Sequence, residues 1–127
     1  MTWLLDVSTL VAHLVESHEH HDRVEAWLPD RSLAVCPITE LGFLRVACAL
    51  GFSMADARSA LKAFLDLEAP EFVPCDLRAL DGPMVPSARK TTDMYLAELA
   101  ASRRWQLATL DAGIDHRAAE LIPARIA

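Results

Sequence analysis

Apolar and polar positions along the chain alternate between strand-like and helix-like spacing. Trp3, Leu4 and Leu5 form an apolar run that stops on Asp6, after which Leu10, Val11, Leu14 and Val15 recur at helical intervals. This predicts a buried strand followed by a helix over residues 8–16, with Ser8 or Thr9 as its cap. His18, Glu19, His20, His21 and Asp22 break the pattern, and a second helix is expected through Val24 and Trp27 to Leu28, ended by Pro29. Residues 33–36 read as a strand before Pro37. The helix that follows carries Glu40 in its first turn and Leu41, Leu44, Val46 and Ala47 along its length, and Gly51 ends it. Ser53, Met54, Ala55 and Asp56 form a capping-box variant opening a further helix, with Ala57, Leu61, Phe64 and Leu65 inward.

Residues 72–75 predict a third strand, with Asp76 next. Gly82, Pro83 and Pro86 interrupt residues 77–88, where a loop or short helix is expected over the carboxyl edge of the sheet. Thr91 or Thr92 should cap a helix holding Asp93 in its first turn and Leu96, Leu99 and Ala100 on its apolar stripe. Residues 105–110 predict a fourth strand leading to Asp111, and Gly113 permits a sharp turn beyond it. Residues 118–126 hold a candidate edge strand around Leu121 and Ile122, limited by Pro123. Strands alternating with helices require crossovers. The fold class is therefore α/β, with a central, mainly parallel sheet of four to five strands flanked by helices in one domain over residues 1–127.

Composition narrows the reading. At 127 residues and 53 % hydrophobic, the chain can build one substantial core. A net charge of −6 argues against broad affinity for a nucleic acid backbone, so any polyanion must be met locally. Arg89 and Lys90, just before Asp93, and Arg45, five residues after Glu40, are the candidate substrate contacts. Cys36, Cys48 and Cys75 are odd in number and widely spaced, which suits reduced thiols rather than a zinc site. The histidine cluster reads as a solvated turn. Neither a spanning segment nor a secretion signal is visible, so a cytoplasmic location without a membrane partner is expected.

The candidate chemistry lies in four acids. In a parallel sheet, strand carboxyl ends and helix amino ends share one edge, where ligands bind. Asp6 and Asp111 follow strands and Glu40 and Asp93 occupy first turns of helices, so all four are expected at that rim as the catalytic set. Carboxylates about 5 Å apart repel by roughly 3 kcal/mol per pair at an effective dielectric of about 20. A bound cation or a retained proton must offset this, and oxygen donors favour Mg²⁺ or Mn²⁺ over Zn²⁺. Such a cation suits phosphodiester hydrolysis. Asp6, Asp93 and Asp111 are the candidate metal ligands, with Asp115 a weaker one. Glu40 is expected either to orient the attacking water or to complete a second metal. Ser8 and Thr109 are candidate hydrogen-bond partners behind the ligands. Asp76, Asp81 and Glu98 read as solvated, and His116 as exposed.

Residues 4–7 (Leu-Leu-Asp-Val), Thr39-Glu40, residues 92–97 (Thr-Asp-Met-Tyr-Leu-Ala) and residues 107–111 (Leu-Ala-Thr-Leu-Asp) resemble the four acid motifs of the PIN-domain ribonucleases, in the family's order. The likeness is greatest to the VapC-like toxins of bacterial toxin–antitoxin pairs, and it includes the histidine turn and Trp-Leu helix of residues 18–28. Ser8 stands where many such proteins have Asn. The resemblance implies a three-layer PIN-like fold and a Mg²⁺- or Mn²⁺-dependent endoribonuclease acting on RNA. It also implies a homodimer, for which residues 53–67 are a candidate contact surface, and inhibition by a VapB-like antitoxin. Two other readings exist. A phosphotransferase with an aspartyl nucleophile wants a second Asp where Ser8 stands. A non-catalytic PIN-like module would use the acids to hold a basic partner.

Overall fold

Successive residues of a strand face opposite sides of its sheet, so strands that are apolar throughout must be covered on both faces. The computed structural model describes residues 1–124 and shows this arrangement. Its strands are β1 (Thr2–Leu5), β2 (Ser32–Val35), β3 (Glu71–Phe72), β4 (Gln106–Thr109) and β5 (Ala119–Leu121). Its α-helices are α1 (Val7–Leu14), α2 (His21–Trp27), α3 (Pro37–Ala49), α4 (Met54–Glu68) and α5 (Thr91–Ser102). The sheet runs β3-β2-β1-β4-β5 and every pair is parallel, with Leu4 opposite both Ala34 and Leu107.

The two faces build separate cores. Leu4, Ala34 and Leu107 join Leu96, Leu99 and Ala100 of α5 on one side. Leu5, Val35 and Ala108 join Leu10, Val11, Phe43 and Phe64, from α1, α3 and α4, on the other. The helix layers and the sheet between them make three layers. Gly42 lets α3 approach α1: a Cβ built there would lie 2.9 Å from Val7 Cγ1 and 3.2 Å from Val7 Cβ. His13 ties three helices, its Nδ1 lying 2.5 Å from Glu25 Oε1 and its Nε2 2.7 Å from Glu68 Oε2. At the amino-terminal edge, Arg31 stacks over Trp27 and Trp3 at 4.1 and 4.7 Å from the ring centroids.

Several boundaries differ from the sequence expectation for local reasons. Asp6, rather than Ser8 or Thr9, caps α1, because its carboxylate accepts the Thr9 amide at 2.8 Å. β3 is two residues long: Val73 still donates to Val35 O at 3.0 Å, but Pro74 has no N–H with which to continue the ladder. α5 starts without a side-chain cap, a 3-10 turn at Ala88–Lys90 leading into it in place of the expected Thr91 or Thr92 cap. Gly51 ends α3 as expected, at φ 106°. The edge strand is β5, and Ile126 of the predicted segment lies outside the described residues. The cysteines are free thiols. No helix among the described residues is long and apolar enough to cross a membrane.

The chain moves from β1 outward to β2 and β3, then returns to lay β4 and β5 on β1's other side. The direction of winding therefore reverses between β1 and β4. Their carboxyl ends flank the crevice where open parallel sheets bind ligands.

Candidate active site

Asp6 enters this crevice directly from β1. Its amide donates to Ala108 O of β4 at 3.2 Å, so the switch point closes around it, and the residue is only 3 % exposed. The Thr9 hydroxyl donates to the same Ala108 carbonyl at 3.1 Å. Burial pushes the Asp6 carboxyl above the usual range, hydrogen bonds from Thr109 and Thr9 pull it down, and the charge of Asp93 adds to the rise. A buried acid whose carboxylate is both desolvated and repelled is short of a positive partner.

Asp93, in the first turn of α5, is half-buried, and it too is pushed upward, first by burial and then by the charge of Asp111, with Lys90 opposing. Asp111 is exposed in the turn after β4, where its Oδ1 accepts the Gly113 amide at 2.8 Å. Its own amide donates to Thr109 Oγ1 at 3.0 Å, so the Thr109 hydroxyl stands between the Asp111 backbone and the Asp6 carboxylate. Lys90 Nζ donates to Gly113 O at 2.7 Å, linking the start of α5 to the same turn. Asp6, Asp93 and Asp111 thus form a chain of negative charge across the crevice, each influencing the next.

Glu40 stands apart from this chain. Its neighbour Thr39 is fully buried and donates to Leu5 O at 2.8 Å, which pins the start of α3 to the end of β1. The Glu40 carboxyl is raised by burial, none of the other three acids contributes, and the side chain lines a cleft with Arg58 and Lys62 of α4. Ser8, Arg45, Arg89 and Asp115 are exposed, and Lys90 is half-buried. The 77–88 segment is irregular. It covers a cleft of about 660 Å³ against Tyr95, Met94 and Ile38 that none of the four acids lines, so it borders the acids rather than roofing them.

Four residues read as solvated or exposed have partners, although Asp76 and Asp81 are exposed as expected. The His116 side chain is 7 % exposed and its Nε2 lies 2.9 Å from Glu98 Oε1. Asp76 pairs with Arg103 at 2.9 Å, which holds its carboxyl below the usual range. Asp81 accepts the Arg78 amide at 2.7 Å. The histidine cluster is a turn held by local bonds, with His18 Nδ1 accepting the His20 amide at 3.0 Å. Thr9 and Thr39 were missed by sequence reasoning as positioning groups. The available signal was a hydroxyl residue within each acid motif, three after Asp6 and one before Glu40.

The donor chemistry fits a hard divalent cation. The three coupled acids offer oxygens only, and two of them are raised in the direction that a cation would reverse. Among the described residues no three His, Cys, Asp or Glu side chains form a ready-made ligand cage.

The sequence profile of the PIN domain matches residues 3–120. Ribonuclease VapC29 of Mycobacterium tuberculosis is 40 % identical over 121 residues, covering 91 % of this chain and 90 % of the relative. Ribonuclease VapC38 of the same species is 37 % identical over 123 residues, covering 87 % and 86 %. Among solved structures, VapBC2 from Rickettsia felis bound to a DNA fragment from their promoter superposes at a TM-score of 0.63 with 13 % identity, covering 89 % of this chain and 90 % of the other. FitAB bound to an IR36 DNA fragment superposes at 0.60 with 21 % identity, covering 89 % and 87 %. At those identities the structural likeness shows the fold, and the fold, the order of the acid motifs and the sequence relatives agree: the chain belongs to the PIN-domain family, among the VapC ribonucleases.

Proposed function

We propose that this chain is a Mg²⁺- or Mn²⁺-dependent endoribonuclease, the toxin of a toxin–antitoxin pair, hydrolysing RNA phosphodiester bonds in the crevice between β1 and β4. The observation that carries the reading is the coupling of Asp6, Asp93 and Asp111 at the switch point, where burial and the charge of Asp93 raise Asp6, and burial and the charge of Asp111 raise Asp93. A divalent cation bound there would neutralise phosphate charge and acidify a water molecule near neutral pH. Asp6 and Asp93 hold it, Asp6 from a fixed position because its second oxygen is tied to the Thr9 amide. Asp111 serves as a further ligand, directly or through water, with Thr109 orienting it. Glu40 approaches from α3 and orients the attacking water once substrate is present.

Substrate phosphates are met by Lys90 and Arg89 beside the start of α5, with Arg45 at the far rim. These few local cations reconcile a polyanionic substrate with the overall charge of −6. A VapB-like antitoxin is the proposed partner, the active form is a homodimer with α4 as its contact helix, and the location is the cytoplasm. The alternative, an acidic module that holds a basic partner without catalysis, fits Asp6 poorly: a carboxylate 3 % exposed offers no surface to another protein. The test is RNA cleavage by purified, antitoxin-free protein. Cleavage that needs added Mn²⁺ and disappears in folded Asp93→Asn is expected, whereas cleavage unaffected by chelator or by that substitution would overturn the reading.

A further inference from the structure

The geometry points to Glu98 and His116 as positioning residues that hold the Asp111 turn against α5 and so set where Asp111 stands relative to Asp93. This rests on the metal-site reading above. His116 sits between the Asp111 turn and β5, and its two ring nitrogens have different jobs. Nδ1 accepts the Ala118 amide at 2.9 Å, so the ring proton is on Nε2, which donates to Glu98 Oε1 at 2.9 Å. One tautomer satisfies both bonds, and the ring is locked in place at 7 % exposure.

The rest of the turn is organised around that ring. The Ala119 amide donates to His116 O at 3.1 Å and the Leu107 amide to Ala118 O at 2.7 Å, so His116 fixes the turn's return into the β4–β5 ladder. Glu98 reaches it from the same helix that presents Asp93, across 18 residues of sequence. Lys90 makes the second link from α5, to Gly113 O at 2.7 Å. Asp111 is itself exposed; its amide is tied to Thr109 Oγ1 at 3.0 Å, but its carboxylate meets only the Gly113 amide among the described hydrogen bonds. Thr109 fixes its backbone to β4, and the two links fix the turn relative to α5. Asp111 raises Asp93 through space, which makes their separation chemically relevant. Partners behind metal ligands typically change metal affinity or activity by about 10- to 100-fold when removed.

Three substitutions separate positioning from general support. Glu98→Ala removes the acceptor from a helix surface position where Ala is the best helix former, so folding is retained. His116→Asn keeps an oxygen able to accept the Ala118 amide but cannot reach Glu98. Glu98→Gln keeps Oε1 as an acceptor for Nε2–H and also the methylenes that face Gly82. Mn²⁺ binding is measured by calorimetry on metal-free full-length protein, and exchange of the Gly113 amide by NMR. Glu98→Ala and His116→Asn should weaken Mn²⁺ binding about 10-fold and speed Gly113 exchange, while Glu98→Gln stays near wild type in both. Wild-type-like Mn²⁺ binding in Glu98→Ala, with binding lost in Asp93→Asn, would overturn the inference and leave the metal site standing. Equal Mn²⁺ binding by wild type and Asp93→Asn would instead remove the metal-site reading. In that case Gly113 exchange still decides the brace, and unchanged exchange in Glu98→Ala would refute it.

Discussion

Replacing Asp6 with Asn should stabilise the metal-free protein at neutral pH, although it removes a residue at the centre of the site. Asp6 has two roles that this substitution separates. As the α1 cap it accepts the Thr9 amide at 2.8 Å, and an Asn oxygen accepts that bond equally well, Asn and Asp being comparable caps. As a buried acid it is raised by desolvation foremost and by Asp93 in addition. A carboxyl whose folded pKa lies above its unfolded value contributes its full stability below the unfolded value, near 3.8, and loses it as pH rises through the folded value. At pH 7 the ionised group therefore costs stability. Asp6→Asn removes that cost and should raise the urea midpoint of the metal-free protein at neutral pH. Asp6→Ala removes the same charge but also the cap, worth about 1 kcal/mol, so it should fall below Asn by that amount. The assay is urea unfolding of metal-free protein from pH 3.5 to 7.5, starting near the ordinary carboxyl value of 3.8. Wild type should lose stability relative to Asp6→Asn as pH rises across that interval. Mn²⁺ at about 100 times its dissociation constant should then add about 2.7 kcal/mol to wild type and leave Asp6→Asn unchanged. An Asn variant less stable than wild type at pH 7 without metal, or a difference that shrinks with rising pH, would refute the reasoning.

Other perturbations have equally definite outcomes. Gly42→Ala places a methyl group against Val7, 2.9 Å from Cγ1, and should destabilise the protein by about 1 to 3 kcal/mol in urea unfolding, with part of the loss recovered by adding Val7→Ala. His13→Ala removes the link joining α1 to Glu25 and Glu68 and should cost about 1.5 to 3 kcal/mol, read as a lowered denaturation midpoint with RNA cleavage retained at temperatures where the fold persists. Lys90→Met should weaken RNA binding to a similar degree across sequences and reduce the salt dependence by about one unit of slope, measured by fluorescence titration at several salt concentrations.

How far the fold was legible depended on whether a signal was local. Leu4, Leu5, Leu107 and Ala108 read as buried strands because a strand covered on both faces needs no polar alternation, and both helix layers supplied the cover. β3 was overcalled because Val73 and Cys75 are apolar, yet Pro74 between them ends the ladder. The α1 cap was misassigned because Asp6 is at once the strand's terminal acid and the helix's cap, and a sequence shows one residue without showing that it serves two elements. Asp6, Asp93 and Asp111 were legible as a group through topology alone, since each lies where a strand ends or a helix begins. Glu40 follows the same rule yet lies apart from the coupled three, because it issues from β2, one strand beyond the β1/β4 switch point. Glu98 and His116 were read as solvent-facing because their bond joins two elements that no local pattern connects.

The central claim is that the crevice between β1 and β4 holds a divalent cation on the carboxylates gathered there. Anomalous scattering from crystals of the full chain soaked in Mn²⁺ tests it most directly. The account predicts a strong peak within coordination distance of Asp6 and Asp93 carboxylate oxygens, about 2.0 to 2.2 Å by analogy with Mg²⁺, that vanishes in Asp6→Asn crystals treated alike. A crevice without a peak while Mn²⁺ occupies the histidine turn or the His13 cluster, or a peak unchanged by Asp6→Asn, would contradict it.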